Sequence, residues 1–145
     1  MNQSELVLAI LAAGNGAIHT PVQIQKLFFL VDKKLPNLGG PFFNFVPHDY
    51  GPFDKEVYRV IEVLSGKGDA EIIKNPGERL NEYRLTPVGQ KKGEKILHSL
   101  DSNLFDSIIR LSEFVRSLSF AELVSAIYKA YPEMRVNSVF KETEG

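Results

Sequence analysis

The apolar positions of this chain recur mostly at helical spacing, in blocks separated by proline and glycine. Leu6 to Ala13 predicts a first helix from about Ser4 to Ala13, stopped by Gly14-Asn15-Gly16. Thr20-Pro21-Val22-Gln23 then reads as a helix start, with Thr20 as cap, Pro21 in the first turn and Gln23 completing a capping box. Behind it Ile24, Leu27, Phe28 and Val31 form one apolar face, which Phe29 and Leu30 widen, so this second helix is expected to be central. Val57, Val60, Ile61 and Leu64 give a third helix, with Asp54 as its cap and Phe53 and Tyr58 as a staple. Two short strands follow, Glu71 to Ile73 and Tyr83 to Leu85, around a polar loop. Thr86-Pro87 opens a fourth helix to about Leu100, and a fifth spans about Asn103 to Leu118. A sixth begins at Ser119 with Glu122 completing its capping box; Phe120, Leu123, Val124, Ile127 and Tyr131 line its face, and Pro132 ends it. Lys141 to Gly145 are expected to fray.

Between the second and third helices the pattern changes. Residues 42–53 hold four of the ten phenylalanines, one tyrosine and two of the eight prolines. Pro47 and Pro52 forbid a continuous helix, so an extended segment followed by a tight Tyr50-Gly51-Pro52 turn is expected. Two uses suit its rings. They fill the space between helices, or they form a proline-stiffened surface whose ordering entropy is already spent, with aromatics as contact points. Phe42 and Phe43 cannot both face the core of an extended strand, so one of them is a candidate contact, together with His48, Tyr50 and Phe53.

Composition narrows the chemistry. With 145 residues, 43% of them hydrophobic and 24% charged, one domain is expected: a core over 1–100 and a helical extension over 101–140 packed on it. The chain has no cysteine, which removes disulfides, thiolate metal sites and thiol nucleophiles. The apolar run at the N-terminus has no basic residue before it and is too short to span a bilayer, so a soluble, cytoplasmic protein with no membrane contact is expected. The three histidines lie in separate segments without metal-ligand spacing, and no phosphate-cradling glycine loop is present. His48-Asp49-Tyr50 is the one cluster of acid–base type, but neighbours on an extended segment point to opposite sides. No catalytic residue, metal or cofactor is therefore assigned.

Three helices, a hairpin and another helix is the order of a winged helix, here extended by two C-terminal helices. The expected class is mainly α (α+β), with the hairpin as wing. Winged helices often read DNA, so charge must decide. The 17 basic side chains face 18 acidic ones, a net charge of −1. The balance also holds locally. Lys55, Arg59 and Lys67 on the third helix are matched by Asp54, Glu56 and Glu62; on the wing Lys74, Arg79 and Arg84 are matched by Glu71, Glu78 and Glu82. A DNA reader needs an uncompensated basic face. A DNA-binding transcription regulator, as monomer or dimer, remains the alternative, with Arg84, Lys91, Lys92 and Lys95 on phosphates.

Four strings in order carry a resemblance. They are Gln23-Ile24-Gln25-Lys26-Leu27-Phe28-Phe29-Leu30, Phe45-Val46-Pro47-His48-Asp49-Tyr50-Gly51-Pro52-Phe53, Tyr83-Arg84-Leu85-Thr86-Pro87-Val88-Gly89 and Tyr128-Lys129-Ala130-Tyr131-Pro132. Together they resemble the Panacea-domain group, which includes SocA-like antitoxins and the uncharacterised YwgA-like proteins. His48 departs from the tyrosine more usual there. The resemblance covers roughly residues 3 to 135. It implies a non-enzymatic module that neutralises a toxin, or hands it to a protease as an adaptor, in toxin–antitoxin or phage-defence settings. It also marks Gln25, Lys26, Asp49, Gly51 and Pro52 as structural motif residues. Two readings of Lys26 follow from its place beside the apolar face: a snorkelling side chain with a solvated head, or an ion pair with Asp49 that ties the turn to the helix. The function expected from all of this is binding to another protein, with a homodimer possible.

Overall fold

Asn2, Thr20, Thr86, Asp101 and Ser119 each accept a backbone N–H at a helix start, so side chains cap five of the six α-helices among the described residues. The computed structural model describes residues 1–141. It shows a mainly α fold with some β structure. The helices are α1 (Gln3–Ala12), α2 (Pro21–Lys34), α3 (Glu56–Gly66), α4 (Pro87–Ser99), α5 (Ser102–Ser117) and α6 (Phe120–Ala130). Two antiparallel hairpins separate them: β1 (Val46–His48) with β2 (Gly51–Phe53), and β3 (Ala70–Ile73) with β4 (Glu82–Leu85).

Local chemistry accounts for the boundaries. The first helix opens before Ser4 because Asn2 is its cap, and Glu5 accepts a bond from the Asn2 N–H in return. Thr20 and Gln23 form the expected reciprocal box on α2. The segment expected to be extended is a hairpin, with Val46 opposite Phe53 and His48 opposite Gly51. Its strands are only three residues long because Pro47 sits opposite Pro52, and neither has an N–H to give. Asp54 receives the Glu56 N–H at 2.9 Å on one carboxylate oxygen and the Asn44 N–H at 2.8 Å on the other. In the second hairpin Glu71 faces Arg84 and Ile72 faces Tyr83. Tyr83 also exchanges two backbone hydrogen bonds with His19, of 2.8 and 2.9 Å, which adds that residue to the wing's edge.

The core is one hydrophobic cluster drawing on all six helices, with Phe28 and Phe29 of α2 among its largest fully buried side chains. α5 and α6 pack on α2, and α4 packs on α1. The α1–α4 approach is close because α4 carries glycine where the helices cross. A Cβ at Gly93 would overlap the Leu8 carbonyl, and one at Gly89 would overlap the Asp69 carbonyl. One expected core residue is not in the core. Phe120, in the first turn of α6, is exposed and turns over the β1–β2 hairpin to meet Tyr50 and Phe140 instead. Of the five C-terminal residues expected to fray, Lys141 has no regular structure and the other four lie outside the described residues. Among the described residues no helix is long and apolar enough to cross a membrane.

Candidate functional site

α2 holds the aromatic segment at two points. Gln25, buried on its inner face, donates through Nε2 to the Asp54 carbonyl at 3.0 Å and accepts the Asp54 N–H on Oε1 at 2.9 Å. Two turns later the Asp32 carboxylate accepts the N–H groups of Phe42 and Phe43, both at 3.0 Å. Burial raises the Asp32 pKa, and these two bonds oppose the shift. The loop is thus tied to one helix at both ends.

That anchoring decides which rings point inward. Phe43 is buried with its ring 6.0 Å from Phe28, and Phe45 packs edge-on to Phe29 at 5.6 Å. Phe42 is half-buried and its carbonyl accepts a bond from Gln3. Of the Phe42–Phe43 pair, Phe43 is the core residue and so is corrected as a contact candidate, while Phe42 is half-buried against the core. The outward surface begins at the hairpin turn. His48 is exposed and stacks on Phe53 at 4.8 Å, and Tyr50 meets Phe120 edge-on at 5.1 Å.

The turn rests on Lys26. Gly51 has φ +102°, and a Cβ there would lie 3.2 Å from the Tyr128 ring and 3.6 Å from Lys26 Nζ. Glycine is required for both the backbone angle and the space. Pro52 beside it is buried. Lys26 itself is only 3% exposed, and among the described residues its ammonium has neither an ion pair nor a hydrogen bond. Of the two readings of this residue the ion pair is corrected, because Asp49 is exposed rather than paired with it. Asp49 instead engages through its carbonyl, which accepts from Val139 N at 2.9 Å and Ser138 Oγ at 3.3 Å. Tyr128 donates to the same Ser138 at 2.6 Å. The segment after α6 thereby straps the turn in place. Burial without compensation lowers the Lys26 pKa from 10.5 to about 7.

Lys26 lies in the lining of an open cleft of about 420 Å³. Pro21, Val22 and Gln25 line it from α2, residues 48–53 from the hairpin, and Arg79 to Asn81 with Tyr83 from the wing. Tyr50, Phe120 and Leu80 form an apolar rim with 44%, 45% and 64% of their surfaces exposed. Tyr58 lines the interior. Burial pushes its phenol up to about 12, so it stays neutral, and it donates to the Pro21 carbonyl at 3.3 Å. Sequence reasoning missed Leu80 and Phe120. Leu80 left a signal, as an apolar residue inside an otherwise polar wing loop. Phe120 left none, because it shares the helical spacing of a core position.

A pKa brought down by burial to about 7 makes both the ammonium and the amine of Lys26 accessible near neutral pH. As ammonium it can hold an anion, and as amine it can attack a carbonyl. The second role needs a group to move protons. Among the described residues His48 and Asp49 make no hydrogen bond with each other or with Lys26. No cluster of three or more His, Asp or Glu side chains among the described residues is placed to hold a metal.

The alternative nucleic-acid residues are not gathered into a free basic face. Arg84 pairs with Glu71 across the wing at 2.9 Å, and Lys92 pairs with buried Asp69 at 2.9 Å. Lys91 and Lys95 remain exposed on α4. A scan against protein-family models finds no match to the chain, and a search of curated protein sequences finds none.

Proposed function

We propose that this protein is a non-enzymatic protein-binding module, of the antitoxin or adaptor kind that its resemblance to the Panacea-domain group implies, acting in the cytoplasm. The observation that carries the reading is the cleft with its rim of Tyr50, Leu80 and Phe120. Three large apolar side chains stand exposed around a concavity, and Tyr50 sits on a turn fixed by hydrogen bonds. Rigid exposed aromatics beside a pocket are the usual anchors of protein interfaces, because little conformational entropy remains to be lost on binding. Paired Arg84 and Lys92 speak against a phosphate-tracking face.

The test is affinity capture from the native host with crosslinking, followed by amide exchange on the purified complex. A defined partner that protects residues 48–53 and 79–83, and is lost with Tyr50→Ala plus Phe120→Ala, is the expected result. Salt-sensitive binding to a defined DNA site, with no protein partner, would overturn it. Protection of the same residues by a second copy would show a homodimer instead.

A further inference from the structure

The Lys26 ammonium has a second property beyond its burial: it adjoins the open cleft. It sits 3.6 Å from the position a Gly51 Cβ would take, in the cleft lining, and no described side chain neutralises it. The other formal charges of the lining are exposed Arg79 and Asp49, and His48 and the phenols of Tyr50, Tyr58 and Tyr83 complete its titratable groups. The lining thus carries two cations and one exposed carboxylate. Around the ammonium the cleft walls are mostly apolar: Val22, Pro52, Phe53 and the aromatic rim.

We infer that the cleft is a carboxylate-binding subsite in which Lys26 receives the side chain of an aspartate or glutamate flanked by apolar residues on the partner protein. This rests on the proposed protein-binding reading and names what the cleft selects. A lone ammonium in the lining of a mostly apolar cleft suits a monoanion on a short apolar stem. A phosphate carries more charge into a site with one buried donor and costs more to dehydrate. Bringing a carboxylate to Lys26 restores the interaction its ammonium lost on leaving water, and the apolar flanks cover Tyr50, Leu80 and Phe120. A buried lysine of this kind discriminates strongly, since an amide of the same shape leaves the charge uncompensated.

The test uses the full chain, with the Lys26 side-chain methylene followed by NMR as phenylacetate, phenylacetamide or inorganic phosphate is added. Phenylacetate is expected to shift that signal and raise the lysine's pKa, binding about tenfold or more tightly than phenylacetamide. In Lys26→Met the difference disappears. A second arm uses end-blocked pentapeptides with apolar flanks and a central Glu, Asp or Gln, and a Gln peptide with a free C-terminal carboxylate. The acidic side chains are expected to bind best, again only with Lys26 present. Equal binding of phenylacetate and its amide overturns the inference, as does no shift at millimolar phenylacetate or a response to phosphate alone. Preference for the free C-terminus overturns the assigned source. None of these outcomes touches the protein-binding reading, which fails only if no partner protects the cleft.

Discussion

Gln25 and Asp54 bond to each other twice: the buried amide gives one hydrogen bond to the Asp54 carbonyl and takes one from its N–H. No sheet or helix joins these segments, so one side chain imitates a strand partner. It joins α2 to the point where β2 gives way to α3. Gln25 stands beside Lys26, and the hairpin it holds in place forms one side of the cleft.

Gln25→Ala should therefore cost more than a surface substitution. Two backbone groups lose their partners in a part-buried place, a loss of about 2–3 kcal/mol. Urea unfolding is expected to show the lower midpoint, and amide exchange at Asp54 should accelerate before global unfolding. Retention of wild-type stability would show that water replaces the amide without cost.

Lys26→Met should stabilise the protein, with a dependence on pH that identifies the cause. The folded pKa of about 7 lies below the ordinary 10.5. Below about 7 both states carry the charge, and its desolvation cost stands in full, roughly 5 kcal/mol as an upper figure. Between about 7 and 10.5 the unfolded chain binds more protons than the folded one, so wild-type stability rises with pH. The advantage of the methionine variant is expected to be largest near pH 6 and to shrink toward pH 10. A pH-independent difference would assign the effect to packing.

His19 gives the opposite end of the pH range its sensitivity. Its ring is fully buried, and among the described residues neither ring nitrogen has a hydrogen-bond partner. Burial chiefly, then the nearby Arg116 charge, lowers its pKa from 6.5 to about 4; the Ala17 backbone, outside hydrogen-bond geometry, opposes this only in part. Above about pH 6.5 the ring is neutral in both states. As the pH falls toward about 4 only the unfolded chain takes up the proton, so roughly 3 kcal/mol of stability is lost and none of it further below. His19→Leu is expected to lose that much less than wild type between pH 7 and pH 4 in parallel urea titrations.

Two glycines should respond oppositely to alanine. Gly93→Ala forces a methyl group into the Leu8 carbonyl and Ala12, and should cost about 2–3 kcal/mol despite the gain in helix propensity. Gly66, at the end of α3, has no atom within 4 Å of the place an alanine methyl would take apart from its own stretch of helix, so Gly66→Ala should be neutral or stabilising by up to about 1 kcal/mol. Thermal melts of the two variants decide it.

Much of this architecture is legible in the chain because its causes are local. A capping side chain and the residue three positions on form a box wherever they stand, so Thr20-Gln23 and Ser119-Glu122 set helix starts without help from the rest of the molecule. The apolar faces of α2 and α3 and the β3–β4 pair follow from spacing in the same way. The site was legible only as residue types: an aromatic, proline-rich segment next to a Gln-Lys pair.

Which way those residues face was decided by contacts across long stretches of sequence. Phe43 is inward because Asp32 holds its N–H, and Phe120 is outward because Tyr50, far earlier in the chain, meets its ring. Lys26 shows the difference most plainly. Its place on α2 allows a snorkelling head, and an α-helix taken alone would leave that head in water. Only the docking of the turn at Gly51 brings the side chain down to 3% exposure, and that turns an ordinary lysine into a buried one beside an apolar cleft. Sequence alone determined the helices, the wing and the even charge balance, since these depend on neighbours in the chain. Tertiary structure decided the cleft and the state of its lysine, because desolvation depends on everything packed around a group.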